Sequence, residues 1–352
     1  MTNDELQSKC IDFLRFPLIV GVVFIHAYGQ VITLQADGLH YPVFHYVREM
    51  ISSVIGQTAV PLFFFISGFL FYYNSILTTD DYKRKLKSRM RTLLIPYLFW
   101  NLLVLAFNYT AQHIPATAAL FSGNHKAISE YAPVDFLNAF WDEPISGQFW
   151  FIRDLMMMVI LTPLLKWLLV KLKHYSLFLF GILWFFDISI HVPGVGPKAL
   201  FFFSAGAYFS INRLNLVDCF KQFFRLTLIL YPLVVIGATL TSGQPVSFYL
   251  VQLNRLLGVV FFFNLTAYFL EQNKITCSGF LATASFFVFA AHEPLQSLLR
   301  KSLHKVLQPQ SDVMLVLLYI LVPVTVVCIT LGTYFLLRKY LPRFAALITG
   351  GR

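Results

Sequence analysis

The chain is short of charge. Only 12% of its 352 residues are Asp, Glu, Lys or Arg, against 57% that are hydrophobic. A soluble domain carries about twice that share of charge, so an ordinary water-soluble fold and a disordered tail are both excluded. Cysteine is scarce too: the four residues Cys10, Cys219, Cys277 and Cys328 show neither disulfide-framework nor metal-ligand spacing. There is no internal repeat, no low-complexity tract and no polar linker that would divide the chain. The expectation is one transmembrane domain over residues 1–352 with no appended soluble domain. Signal-peptide character is missing as well. The N-terminus MTNDELQSKC contains acidic residues and leads into a run too long for a signal h-region, with no small-x-small cleavage site, so the first segment reads as a retained helix.

What the chain has in quantity is long apolar runs, and these predict an all-α polytopic membrane protein with about ten transmembrane helices. The expected spans are Phe13 to Val31, Ile51 to Tyr73, Leu93 to Tyr109, Phe149 to Val170, Leu177 to Ile190, Lys198 to Ile211, Phe224 to Leu240, Leu253 to Leu270, Phe280 to Leu298 and Val313 to Leu337. The fifth and sixth are short, consistent with tilted, broken or re-entrant segments. The loop from Asp80 to Arg91, DDYKRKLKSRMR, is strongly basic, so the positive-inside rule places it and both termini in the cytoplasm. Lys166, Lys171 and Lys173, then Arg213, Lys221 and Arg225, then Arg338, Lys339 and Arg343 agree, whereas Arg300, Lys301 and Lys305 fall outside. The stretch from Thr110 to Gln148 becomes a long external loop. The net charge of +10 is accounted for by these loop clusters, which argues against nucleic acid as a partner and for the lipid bilayer.

Within the first span, Arg15 and His26 are separated by ten residues with no other ionisable group between them. Eleven helical steps of about 100° make three turns plus about 20°, so both side chains share one face about 16 Å apart. Each such group costs roughly 2.5–3.5 kcal/mol to insert, and charges kept at that cost usually mark a substrate or proton path. With the inferred orientation, Arg15 sits near the inner end and His26 deeper. A cytoplasmic anion with a long thin arm, such as a coenzyme A thioester, fits that spacing. Arg89 and Arg91, at the boundary before the third span, could join Arg15 around its phosphates, because guanidinium groups match phosphate oxygens bidentately. Simpler readings stand beside these: His26 as a helix-bridging histidine, Arg15 paired with Asp12, Arg89 and Arg91 as ordinary cytoplasmic loop charges. Arg153 and Asp154 follow Phe149 and Trp150 at an aromatic interface position and are acceptor-site candidates or simple rim charges. His292 and Glu293 lie toward the outer part of the ninth span. Ser67, Gly68, Ser204 and Gly206 suit close helix packing.

Arg15 and His26 within IDFLRFPLIVGVVFIHAYG match the arginine-x10-histidine pattern of the acyltransferase 3 family. In order follow VPLFFFISGFLF at Val60 to Phe71, KSRMRTLLIPYLFW at Lys87 to Trp100, FWFIRDL at Phe149 to Leu155, FFFSAGAYF at Phe201 to Phe209 and SFFVFAAHEPL at Ser285 to Leu295, each similar to a segment of that family. The resemblance covers nearly the whole chain. It implies an integral membrane O-acyltransferase, most simply of a bacterial inner membrane. That enzyme would move an acyl group, expected to be acetyl from acetyl-CoA, to a hydroxyl of an envelope glycan, glycolipid or lipid-linked sugar. By that resemblance His26 is the catalytic histidine and Arg15, Arg89 and Arg91 bind the donor; Glu293, if it faces His26, is the catalytic candidate that orients the imidazole or polarises the acceptor. Arg153, Asp154 and His292 are the acceptor-side candidates, and no metal is expected. The competing reading is a transporter that exports a small anion or an acylated metabolite through the same buried charges.

Overall fold

The computed structural model describes residues 1–28, 41–75, 78–115 and 126–351, and among them every regular element is helical. The expected end of the first span at Val31 lies outside the described residues. Helix α1, Asn3–Ala27, starts ten residues before the expected Phe13. A capping box explains the early start: Thr2 Oγ1 accepts from the Glu5 backbone N–H at 3.3 Å, while Glu5 accepts from the Thr2 N–H at 3.0 Å. Helix α2 runs Pro42–Tyr72 and α3 runs Thr79–His113. Both contain a wide π-helical turn, Glu49–Ile55 in α2 and Met90–Leu94 in α3. The basic segment expected as a loop from Asp80 to Arg91 is therefore the first turns of α3. Thr78 caps it through the Asp81 N–H, and its acidic residues fall in the first turn where the helix dipole favours them.

The stretch from Thr110 to Gln148 carries α4, Pro133–Phe140. The expected fourth span is two helices, α5 Trp150–Ile160 and α6 Thr162–Lys171, separated at Leu161 before Pro163. Helix α7, His174–Phe185, meets α6 at a bend of 119°, with Lys173 at φ +49° in the corner. Then come α8 Pro197–Ile211, α9 Leu216–Lys221, α10 Phe224–Leu240, α11 Pro245–Glu271, α12 Gly279–Leu307, α13 Asp312–Tyr340 and α14 Pro342–Thr349. By length and apolarity α1, α2, α3, α11 and α13 can each cross a membrane, and a sixth span results if α6 and α7 count as one. The expectation of about ten spans exceeds what those criteria support. At about 1.5 Å per residue α8 and α10 fall short of a hydrocarbon core about 30 Å thick. Helix α12 is long enough but charged in its second half, because Arg300, Lys301 and Lys305 lie on the helix rather than in the expected loop.

Packing is closest where α2 crosses α8. A Cβ added at Gly68 would run into the Phe203 carbonyl, and one at Gly206 would run into the Phe65 carbonyl, so each glycine admits the other helix's backbone. Around this crossing the core is phenylalanine-rich, with Phe64, Phe69, Phe71, Phe202 and Phe203 fully buried. Helix α1 is wrapped by α2, α11, α12 and α13, which places its polar face inside the bundle.

Candidate functional site

A cavity of about 350 Å³ runs along α1 between α2, α3, α5, α8 and α12. Arg15 and Arg89 line it together with Leu93 and Phe71, and His26 lines it with Gln57, Gln148, Trp150 and Lys198. Because α1 and α2 run in opposite directions, Arg15 and Phe71 mark one end and His26 and Gln57 the other. The eleven-residue separation on α1 sets a distance of about 16 Å between the two ends. The two π turns sit at the points where polar groups enter the cavity: Arg89 directly precedes the turn in α3, and Gln57 follows the turn in α2. Such turns re-aim neighbouring side chains and recur at functional sites.

At the first end Arg15 pairs with Asp12 at 3.3 Å, the i,i+3 pairing the sequence allows, and it still faces the cavity. Arg89 makes no ion pair among the described residues. Arg91 is exposed and is not among the residues that line the cavity. Two residues on a helix are about 200° apart, so Arg89 and Arg91 diverge by geometry alone.

The other end is organised by Pro294 in α12. Proline has no N–H, so the carbonyl of Ala290 is left without its helical donor, and Gln148 Nε2 donates to it at 3.2 Å. Two residues before Pro294, His292 is fully buried, and its Nδ1 donates to the Phe289 carbonyl at 2.6 Å. That bond fixes the tautomer, leaving Nε2 as a buried acceptor with no partner. The His26 and His292 rings lie 5.2 Å apart between centroids. One ligand atom each from His26, His292 and Glu293 fall within 4.8 Å of one another, and Glu293 Oε2 is likewise buried without a partner. Two neutral imidazoles and a carboxylate form a donor set able to take a divalent cation or to pass a proton. Arg300 donates to the His26 carbonyl at 2.9 Å, placing a cation where the last turn of α1 needs one.

Arg153 and Asp154 are held elsewhere. Arg153 makes two bonds to Asp154 Oδ1, at 3.0 and 2.8 Å, and its other nitrogen donates to the Trp141 and Asp142 carbonyls. Neither residue lines the cavity. Gln57, Gln148, Lys198 and the nearby Arg255 were not legible as site residues. Lys198, a lone cation at the start of an apolar helix, was the available signal.

A helical membrane protein whose bundle encloses a cavity with arginines at one end and a histidine, backed by a second buried histidine, at the other is the class these observations define. Residues 8–334 match the family model described as an acyltransferase domain, and the chain belongs to that family, the acyltransferase 3 proteins. It is an acyltransferase, which decides against the transporter reading. Succinoglycan biosynthesis protein ExoH of Rhizobium meliloti (strain 1021) is 25% identical over 359 residues, covering 99% of this chain and 94% of that protein. No solved structure matches.

Proposed function

We propose that the protein is an acyl-CoA-dependent O-acyltransferase that acylates a saccharide hydroxyl. One observation carries this reading: a single cavity joins the Arg15 and Arg89 guanidinium groups to the His26 imidazole. The phosphates of coenzyme A would be held at the arginine end, and the pantetheine arm would lie along the apolar wall of Ile19, Val22 and Phe286. The thioester then reaches His26. Neutral His26 accepts the proton of the acceptor hydroxyl as its oxygen attacks the thioester carbonyl carbon. Collapse of the tetrahedral intermediate breaks the C–S bond, and the imidazolium returns the proton to the thiolate. Glu293 would stabilise the imidazolium, and His292, locked by its bond to Phe289, would hold the His26 ring in place.

Acetyl-CoA is the expected donor. The saccharide acceptor is supported by the relative's place in succinoglycan biosynthesis. The basic start of α3 favours a cytoplasmic donor side with both termini inside, in a bacterial inner membrane.

The test is acetyl-CoA binding and turnover by the purified protein in nanodiscs. His26→Ala is expected to lower turnover by at least about 100-fold with donor binding retained, while Arg15→Ala weakens donor binding. Wild-type turnover from a folded, inserted His26→Ala protein would remove the general-base assignment.

A further inference from the structure

The His26 end of the cavity contains more polar capacity than a thioester needs. Gln148 is 1% exposed, and while its Nε2 is committed to Ala290, its Oε1 is buried without a partner. The Lys198 ammonium lies 5.5 Å from the Trp150 ring centroid and makes no ion pair among the described residues. Two carboxylates act on it from beyond ion-pair distance: Asp187, which is exposed and also acts on Arg255, and Asp154, which is taken by Arg153 and by the Gly196 N–H. Arg255 lies close enough to repel Lys198, and its own bonds go to neutral amides, Gln252 Oε1 at 2.5 Å and Gln57 Oε1 at 2.8 Å. Two cations are therefore gathered at one end of an apolar bundle, neither with a carboxylate within ion-pair distance among the described residues. A buried cation without an ion-pair partner is stabilised by an anion brought to it, and ionisable groups so placed are candidates for a ligand site.

We propose that Gln148, Trp150 and Lys198 form the acceptor subsite, and that the acceptor carries an anionic group, a carboxylate or a phosphate, beside the hydroxyl that is acylated. This rests on the O-acyltransferase reading above. Trp150 offers an apolar face for a sugar ring, Gln148 Oε1 accepts from a ring hydroxyl, and Lys198 pairs with the anion, with Arg255 adding its field through Gln57. The arrangement separates the two ligands by chemistry: the donor's phosphates meet Arg15 and Arg89, and the acceptor's anion meets Lys198 at the opposite end. His26 stands between the thioester and the hydroxyl.

The experiment measures saturation binding to the protein in nanodiscs of three probes: a neutral gluco-oligosaccharide, the same oligosaccharide bearing a glucuronic acid, and a polyprenyl-diphosphate-linked glucose. At least one charged probe is expected to bind about tenfold more tightly than the neutral one, as a charge-assisted contact would require. That preference is expected to vanish in Lys198→Met and return in Lys198→Arg, with acetyl-CoA binding the same in all three proteins. Preference for the glucuronic acid probe identifies a carboxylate on the saccharide; preference for the lipid-linked probe identifies the diphosphate. Equal binding of charged and neutral probes, binding of none of them, or a preference that survives Lys198→Met would each overturn the proposal. Acetyl-CoA turnover by the wild type, with its loss in His26→Ala, is read separately, so the acyltransfer reading can stand while this one falls.

Discussion

Arg153 and Lys198 are cations at the same end of the bundle, the first less than one helical turn from Trp150, the ring beside the second, and they have opposite fates. Arg153 is satisfied on every side: Asp154 takes one edge of its guanidinium and two loop carbonyls take the other. It fastens the segment before α5 to that helix. Lys198 faces the cavity beside an aromatic ring and makes no ion pair among the described residues. The difference teaches that charge inside an apolar bundle does not by itself mark a binding residue. Unused hydrogen-bonding capacity facing a cavity does, because a fold that could have satisfied the group left it for something else.

The comparison can be broken first at Arg153. Removing it in Arg153→Met leaves Asp154 buried without its guanidinium partner, so folding stability should fall by about 3–5 kcal/mol, measured by thermal unfolding in detergent. The fraction that folds should retain its turnover. A fully stable variant with no activity would return Arg153 to the acceptor site.

Next is the same contrast at the donor end, where Arg89 faces the cavity and Arg91 does not. For Arg89→Ala the KM for acetyl-CoA should rise about tenfold, the loss of one charge-assisted contact. Arg91→Ala is expected to change it by less than about twofold, as for an exposed charge. If the two arginines proved equal in donor kinetics, the cavity would not be the donor path. The smallest effect expected is none: dialysis against a strong chelator should leave turnover unchanged if His26 works as a proton acceptor. Activity lost on chelation and regained with a divalent cation would assign the His26, His292 and Glu293 group to a metal instead.

Much of the site was legible before any coordinates. The period of the helix put Arg15 and His26 on one face, and the basic run before the third apolar segment marked Arg89. What was missed has physical causes. The run from Asp80 to Arg91 looked like a loop because it is polar, yet Thr78 and the early acidic residues are a helix start, and the helix continues without a break into the apolar part of α3. Arg300 looked like a topological exception because charge was counted along the chain. In space it turns back to cap α1 at His26. Arg153 and Asp154 read either as acceptor residues, because they follow Phe149 and Trp150 at an aromatic interface position, or as rim charges; the structure pairs them with each other and leaves both off the cavity lining.

The sequence by itself determined the class of the protein, through long apolar runs and few charges, and it determined the Arg15 to His26 axis, because both residues belong to one helix whose geometry is fixed. The meeting of His26 with His292, the release of Gln148 toward the cavity by way of Pro294, and the isolation of Lys198 were decided by tertiary structure alone. Those contacts join residues from 48 positions apart, Trp150 and Lys198, to 266 apart, His26 and His292, and no local periodicity encodes them. They depend on which helix packs against which, set here by the interlocking of Gly68 and Gly206 and by the wrapping of α12 around α1.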